Sequence, residues 1–152
     1  MDPVIAQITG RLWLGNIAAA QDAGILREHK ITGVLNVSET PYLSSVECFV
    51  CPLRDDERNQ SETLLAASLL LHELISRHDR ALVHCQHGGS RSVAVLMLYL
   101  RLNDVAKSFD EARAYIQARY PIKLSARQPR PGLRELLNTI WGSLEERKWR
   151  GP

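Results

Sequence analysis

Residues 84–92 read HCQHGGSRS, placing a thiol, two glycines and a fixed positive charge within eight positions. The reactive form of cysteine is the thiolate, and a free thiol with a pKa of about 8.5 holds only a few per cent of it at neutral pH. The residues that follow Cys85 favour that anion if they form a loop leading into a helix. The backbone N–H groups of Gln86, His87, Gly88, Gly89, Ser90 and Arg91 then line a concavity at the helix N-terminus, which suits an anion. Gly88 and Gly89 let the backbone turn and approach without a side chain in the way. The Arg91 guanidinium presents a planar fork that matches two oxygens of a phosphate. A thiolate beneath a bound phosphate is placed for in-line attack on phosphorus, giving a cysteinyl-phosphate. His84 reads as a supporting residue bonded to backbone near the loop. The Ser92 hydroxyl is placed to donate to the sulfur and ease its departure.

Such a reaction needs a proton donor for the first leaving group and a base for the water, roles one carboxyl group can fill in turn. The loop RDDERNQS (54–61) offers Asp55 and Asp56, and the spacing favours Asp55. A carboxyl that must be protonated, starting from an ordinary value of about 3.9, places the rate optimum on the acid side of neutral.

These residues need elements to hold them. RLWLG (11–15) reads as a strand, and Asn16 as the cap of one helix through AAAQDAGILREH. ITGVLNVS (31–38) and VECFVCPL (46–53) read as strands, the second stopped by Pro52. ETLLAASLLLHELISRH reads as a helix apolar on most of its circumference, and RALVHC (80–85) as a strand running into the loop. SVAVLMLYLRL (92–102) reads as a central helix. Ser108 and Glu111 form a capping-box pattern at the head of SFDEARAYIQARY. Leu133, Leu136, Leu137, Ile140, Trp141 and Leu144 recur at helical spacing in a last helix. Strands alternating with helices predict an α/β protein with a sheet flanked by helices.

The chain of 152 residues suits one domain, residues 1–152 with a core over about 5–141. A net charge of +2 is too mild to indicate nucleic-acid binding by itself. No apolar run reaches the roughly 18 residues of a membrane span, and the N-terminal stretch lacks a signal-peptide pattern. Three cysteines cannot complete a disulfide framework, so a reducing compartment, cytoplasmic and/or nuclear, is expected. Cys48 and Cys51 form a C-x-x-C pattern, but residues three apart in a strand point to opposite faces, so both read as buried apolar side chains. The alternative is that one of them traps an oxidised Cys85 as a reversible disulfide. Arg113, Arg119, Lys123, Arg127, Arg130 and Arg134 read mostly as solvated surface, with 123–134 placed to flank the pocket.

HCQHGGSR matches the His-Cys-five-residues-Arg signature of cysteine-dependent protein tyrosine phosphatases, and RLWLGNIAAAQDAGILREHKITGVLNVSE, VCPLRDD and PRPGLRELL resemble segments of the small atypical dual-specificity phosphatases. The resemblance spans roughly residues 5 to 141. It implies Cys85 as nucleophile, Arg91 as phosphate-binding arginine and Asp55 as general acid and base. It implies a central, mostly parallel sheet of four or five strands flanked by helices, like that of protein tyrosine phosphatases. Phosphorylated protein is the implied substrate and partner, with no metal or organic cofactor. Two positions depart from the pattern. His87 stands where many members carry a small or acidic residue, and the RNA 5′-phosphatase branch tends to have histidine there. Arg130 stands where the family commonly has an asparagine that supports the loop. An RNA 5′-triphosphatase, a phosphoinositide phosphatase, a non-catalytic phosphate-binding module and a thiol redox protein are the alternatives.

Overall fold

Four runs of four residues, each too short to bury itself, end in a single row. In the computed structural model, which describes residues 1–54, 61–122, 124 and 139, these are β2 (Leu12–Gly15), β3 (Gly33–Asn36), β4 (Glu47–Val50) and β5 (Ala81–His84). Their parallel register sets Gly15 beside His84, His84 beside Asn36, and Asn36 beside Val50. A fifth strand, β1 (Ile5–Gln7), adds antiparallel to β2, giving the order β1-β2-β5-β3-β4. The sheet is thus mixed and mostly parallel. β1 was not expected from the sequence, since three residues at a sheet edge carry too little alternation to stand out.

Alternation along the strands divides the core into two layers. Leu12, Leu14, Leu35, Ala81 and Val83 face the larger layer, packed with α3 (Ser61–Arg77), α4 (Arg91–Leu102) and α5 (Phe109–Gln117). Trp13, Val34 and Leu82 face the other, packed with Ala20, Leu26 and Ile31. Both faces of β2, β3 and β5 are therefore covered. Helix α4 is buried at nine of its twelve residues, as a helix apolar on nearly every side must be. Helix α3 differs from its expectation. Leu64, Ala67, Leu71, Leu74 and Ile75 form a buried stripe, whereas Leu65 and Leu69 are 38% and 56% exposed. Its opposite face has no described element against it.

The run after β2 forms two short helices rather than one, α1 (Ile17–Ala20) and α2 (Ala23–Glu28). Asp22 is the reason: its backbone is extended and its side chain accepts from Ile25 N–H, so it opens a new helix inside an alanine-rich run. The strands at 31–38 and 46–53 are shorter than expected, with residues 37–38 and 51–53 leaving the ladders to build loops. Ser108 caps α5 by accepting from Glu111 N–H, while the Glu111 carboxylate accepts from Lys107 N–H, one residue beyond the usual capping box. The last expected helix, with Lys123, Arg127, Arg130 and Arg134, lies outside the described residues apart from Thr139, which is helical.

Asn16 connects these layers to the loop. Its Oδ1 accepts from Val4 N–H and Ala19 N–H, and its Nδ2 donates to Asp2 O. It thereby caps α1 and ties down the chain ahead of β1. The Asn16→Ala variant would lose a cap and leave buried groups unmatched. It should be less stable by about 2 kcal/mol, measured as a lower urea midpoint with an unchanged slope.

Candidate active site

Cys85 follows the last residue of the central strand β5, and the chain from there to Arg91 forms an irregular loop that enters α4. The loop is pinned at its start by main-chain bonds on both sides. Ile17 N–H donates to Gln86 O, and Val37 N–H donates to His84 O. A side-chain network continues this support. Asn36 Oδ1 accepts from Ser38 N–H and Ser38 Oγ, Asn36 Nδ2 donates to Thr40 O, and Thr40 Oγ1 donates to Gln86 Oε1 at 2.9 Å. None of Asn36, Ser38 and Thr40 was singled out from the sequence. The only available signal was NVSET, a polar run directly after a β-branched strand.

Gly88 shapes the loop. Its φ of +81° lies in the left-handed region, and a Cβ there would come within 2.4 Å of Tyr120 Oη and 2.9 Å of Gly15 O. The sequence offered Gly88 and Gly89 equally as the turning residues; of the two, the left-handed backbone is at Gly88. Gly89 is half-buried and His87 is exposed.

The thiol of Cys85 is 2% exposed, and its Sγ lies 3.2 Å from Oγ of the fully buried Ser92, in the first turn of α4. Arg91 is 8% exposed. One of its nitrogens, Nη1, donates to Leu53 O at 3.2 Å and lies 4.0 Å from the exposed Glu39 carboxylate. Arg91 Nε is buried without a hydrogen-bond partner among the described residues. A buried guanidinium donor left open beside a helix N-terminus is an arrangement that an incoming oxyanion completes. Leu53 N–H donates to Val37 O, so the residue whose carbonyl holds Arg91 is itself tied to the chain just past β3. The segment carrying Asp55 and Asp56 begins two residues after Leu53, and both carboxylates lie outside the described residues.

His84 is fully buried and bonded at both ring nitrogens. Its Nδ1–H donates to Cys85 O at 2.9 Å, which leaves Nε2 to accept from Tyr42 Oη–H at 2.8 Å. Burial holds its pKa down to about 4, with the bond to Cys85 O opposing the shift, so the ring is neutral at physiological pH. Burial, and then the nearby Cys48, push the Tyr42 phenol up, which keeps it a donor. Cys48 and Cys51 stand on opposite sides of the sheet, Cys48 in the Trp13 layer and Cys51 just past β4 in the larger one. Both are half-buried rather than buried, and burial raises both thiols. Arg113 donates to Leu124 O, and Arg119 donates to Tyr115 O while lying 3.6 Å above the Tyr115 ring.

Residues 12–136 match the family described as the catalytic domain of dual specificity phosphatases. Mouse (Mus musculus) dual specificity protein phosphatase 22 is 32% identical over 99 residues, covering 63% of this chain and 54% of its own. Rat (Rattus norvegicus) dual specificity protein phosphatase 18 is 31% identical over 122 residues, covering 78% of this chain and 59% of its own. This chain thus spans little more than half the length of these relatives. Among solved structures, human DUSP28 superposes with a TM-score of 0.81 at 22% identity, covering 95% of this chain and 97% of that one. A mouse putative dual specificity phosphatase complexed with zinc tungstate superposes with a TM-score of 0.80 at 25% identity, covering 97% and 92%. The chain belongs to the dual specificity phosphatase catalytic-domain family.

The neutral His84 has a consequence for stability. Above about pH 6.5 neither the folded nor the unfolded imidazole carries the extra proton, and the stability due to this site is fully present. As the pH falls from there towards about 4, the unfolded state takes up a proton that the folded state refuses, and stability declines by at most about 1.4 kcal/mol per pH unit. Urea midpoints should therefore fall more steeply between pH 6.5 and 4.5 in the intact protein than in a His84→Gln variant. Equal slopes would show that His84 is not held neutral.

Proposed function

We propose that this chain hydrolyses phosphotyrosine and phosphoserine or phosphothreonine in protein substrates through a cysteinyl-phosphate intermediate. The observation that carries the reading is the placement of the Cys85 sulfur at the base of the loop, beside Ser92 and close in sequence to an Arg91 Nε that has no partner among the described residues. The similar mouse structure was solved with zinc tungstate, and tungstate is a tetrahedral oxyanion as phosphate is.

In this reading the loop amides and Arg91 bind the three terminal oxygens of the phosphate monoester. The sulfur attacks phosphorus, the P–S bond forms as the P–O bond to the side chain breaks, and the departing oxygen takes a proton from Asp55. The resulting Asp55 carboxylate then accepts a proton from water as the water oxygen attacks phosphorus. The P–S bond breaks, inorganic phosphate leaves, and the thiolate is received by the Ser92 hydroxyl. His84, neutral and bonded to Cys85 O, fixes the carbonyl at the loop's start and takes no part in proton transfer. Gly88 holds the turn that aims the amides inwards.

Hydrolysis of p-nitrophenyl phosphate without added metal tests this. Cys85→Ser should reduce turnover to background. Asp55→Asn should lower kcat by about 100-fold, mostly at acid pH, while Asp56→Asn changes little. Full activity in Cys85→Ser would overturn the mechanism. Phosphopeptide binding without turnover by the intact, reduced protein would instead indicate a phosphate-binding module.

A further inference from the structure

Tyr120 follows α5 and is 4% exposed, and its hydroxyl is buried without a hydrogen-bond partner among the described residues. Leaving such a group unmatched costs free energy that a phenylalanine of nearly the same shape would avoid. The hydroxyl is also not remote from function. It stands where a side chain on Gly88 would have to go, against the one loop residue with a left-handed backbone, and Gly15 O borders the same space. Ser92 approaches the Cys85 sulfur from the first turn of α4, whereas Tyr120 reaches the loop from the end of α5.

We propose that Tyr120 is a positioning residue for Cys85, its hydroxyl serving as a donor that the neutral site leaves unused and that the ionised sulfur and its loop engage. The proposal rests on the reading of Cys85 as the nucleophile. Burial first, and then the negative charge of Cys85, push the Tyr120 phenol up out of the range in which it ionises. It therefore remains a neutral donor, buried against Gly88 in the loop that begins at Cys85. The hydroxyl stands in the space beside Gly88 and the ring carries it there, so the tyrosine has two separable tasks. Its aromatic body places the hydroxyl, and its O–H dipole stabilises the anion.

Tyr120→Phe separates these tasks because it keeps the ring. Alkylation of Cys85 by iodoacetamide, followed from pH 4.5 to 8, should show a midpoint displaced to higher pH. The rate at low pH should be about tenfold lower, the size expected for one hydrogen bond to a charged group. The melting temperature should be unchanged or raised. A merely structural tyrosine would lower the melting temperature and leave the alkylation curve in place, and that result would overturn the proposal. In the protein with its tyrosine intact, the Tyr120 Cζ resonance of ¹³C-labelled material should move as the thiol titrates and stay fixed in Cys85→Ala. A resonance that does not move would overturn it equally, with no dependence on how the variant folds. Retained hydrolysis in Cys85→Ser would instead remove the functional reading itself. A Cys85-dependent activity with superimposed alkylation curves in Tyr120→Phe would remove only the role given to Tyr120.

Discussion

The ladders on the two sides of β5 set the position of everything at the site. β2 and β3 grip this strand in parallel, and the last rung runs Gly15, His84, Asn36. A strand bonded on both edges cannot slide without breaking both ladders, so Cys85 leaves the sheet at a fixed point. The same row supplies the next tier of support. Ile17, two residues past Gly15, and Val37, next after Asn36, donate backbone bonds to Gln86 O and His84 O, and Asn36 anchors the chain to Thr40 and through it to Gln86. The loop is held by groups whose own positions are set by the sheet.

That rigidity has an energetic counterpart. Arg91 Nε and Tyr120 Oη are buried donors with no partner among the described residues, although most buried polar groups in native proteins are paired. They border one loop. His84 shows the opposite arrangement in the same place: both ring nitrogens are satisfied and the ring is neutral. In the proposed reading, the fixed charge and open donors serve an incoming anion, while the neutral histidine contributes no charge. The electrostatics of the site follow from which polar groups the fold completes and which it leaves open.

What could be read from the chain itself was what is local in it. The strand, loop and helix around Cys85 are contiguous, so residue types and spacing sufficed to place the thiol, the arginine and Ser92 together. The helix caps Asn16 and Ser108 were legible for the same reason, since a cap bonds to residues three positions on. Tyr42, Thr40 and Tyr120 were not, because only the packing of distant segments brings them to His84, Gln86 and Gly88. The exposed side of α3 misled for a related reason. Leu65 and Leu69 have the apolar character of a buried face, and composition alone does not say which face meets the sheet. Asp22 was hidden by its surroundings, a capping residue inside a stretch whose alanines favour helix on both sides.

The strand order has a further implication, for the time before the chain is complete. Among the described residues, β5 is the last of the five strands in sequence, and it lies third in the sheet, between β2 and β3. While the chain is being synthesised, β2 and β3 have no partner between them until residue 84 has emerged. Each then presents an unpaired edge of buried-type residues, the kind of surface that invites pairing with another chain. The insertion of β5 closes both edges in a single event, and the same event brings the nucleophile candidate into place. A nascent chain stopped short of that strand has neither a closed sheet nor a site.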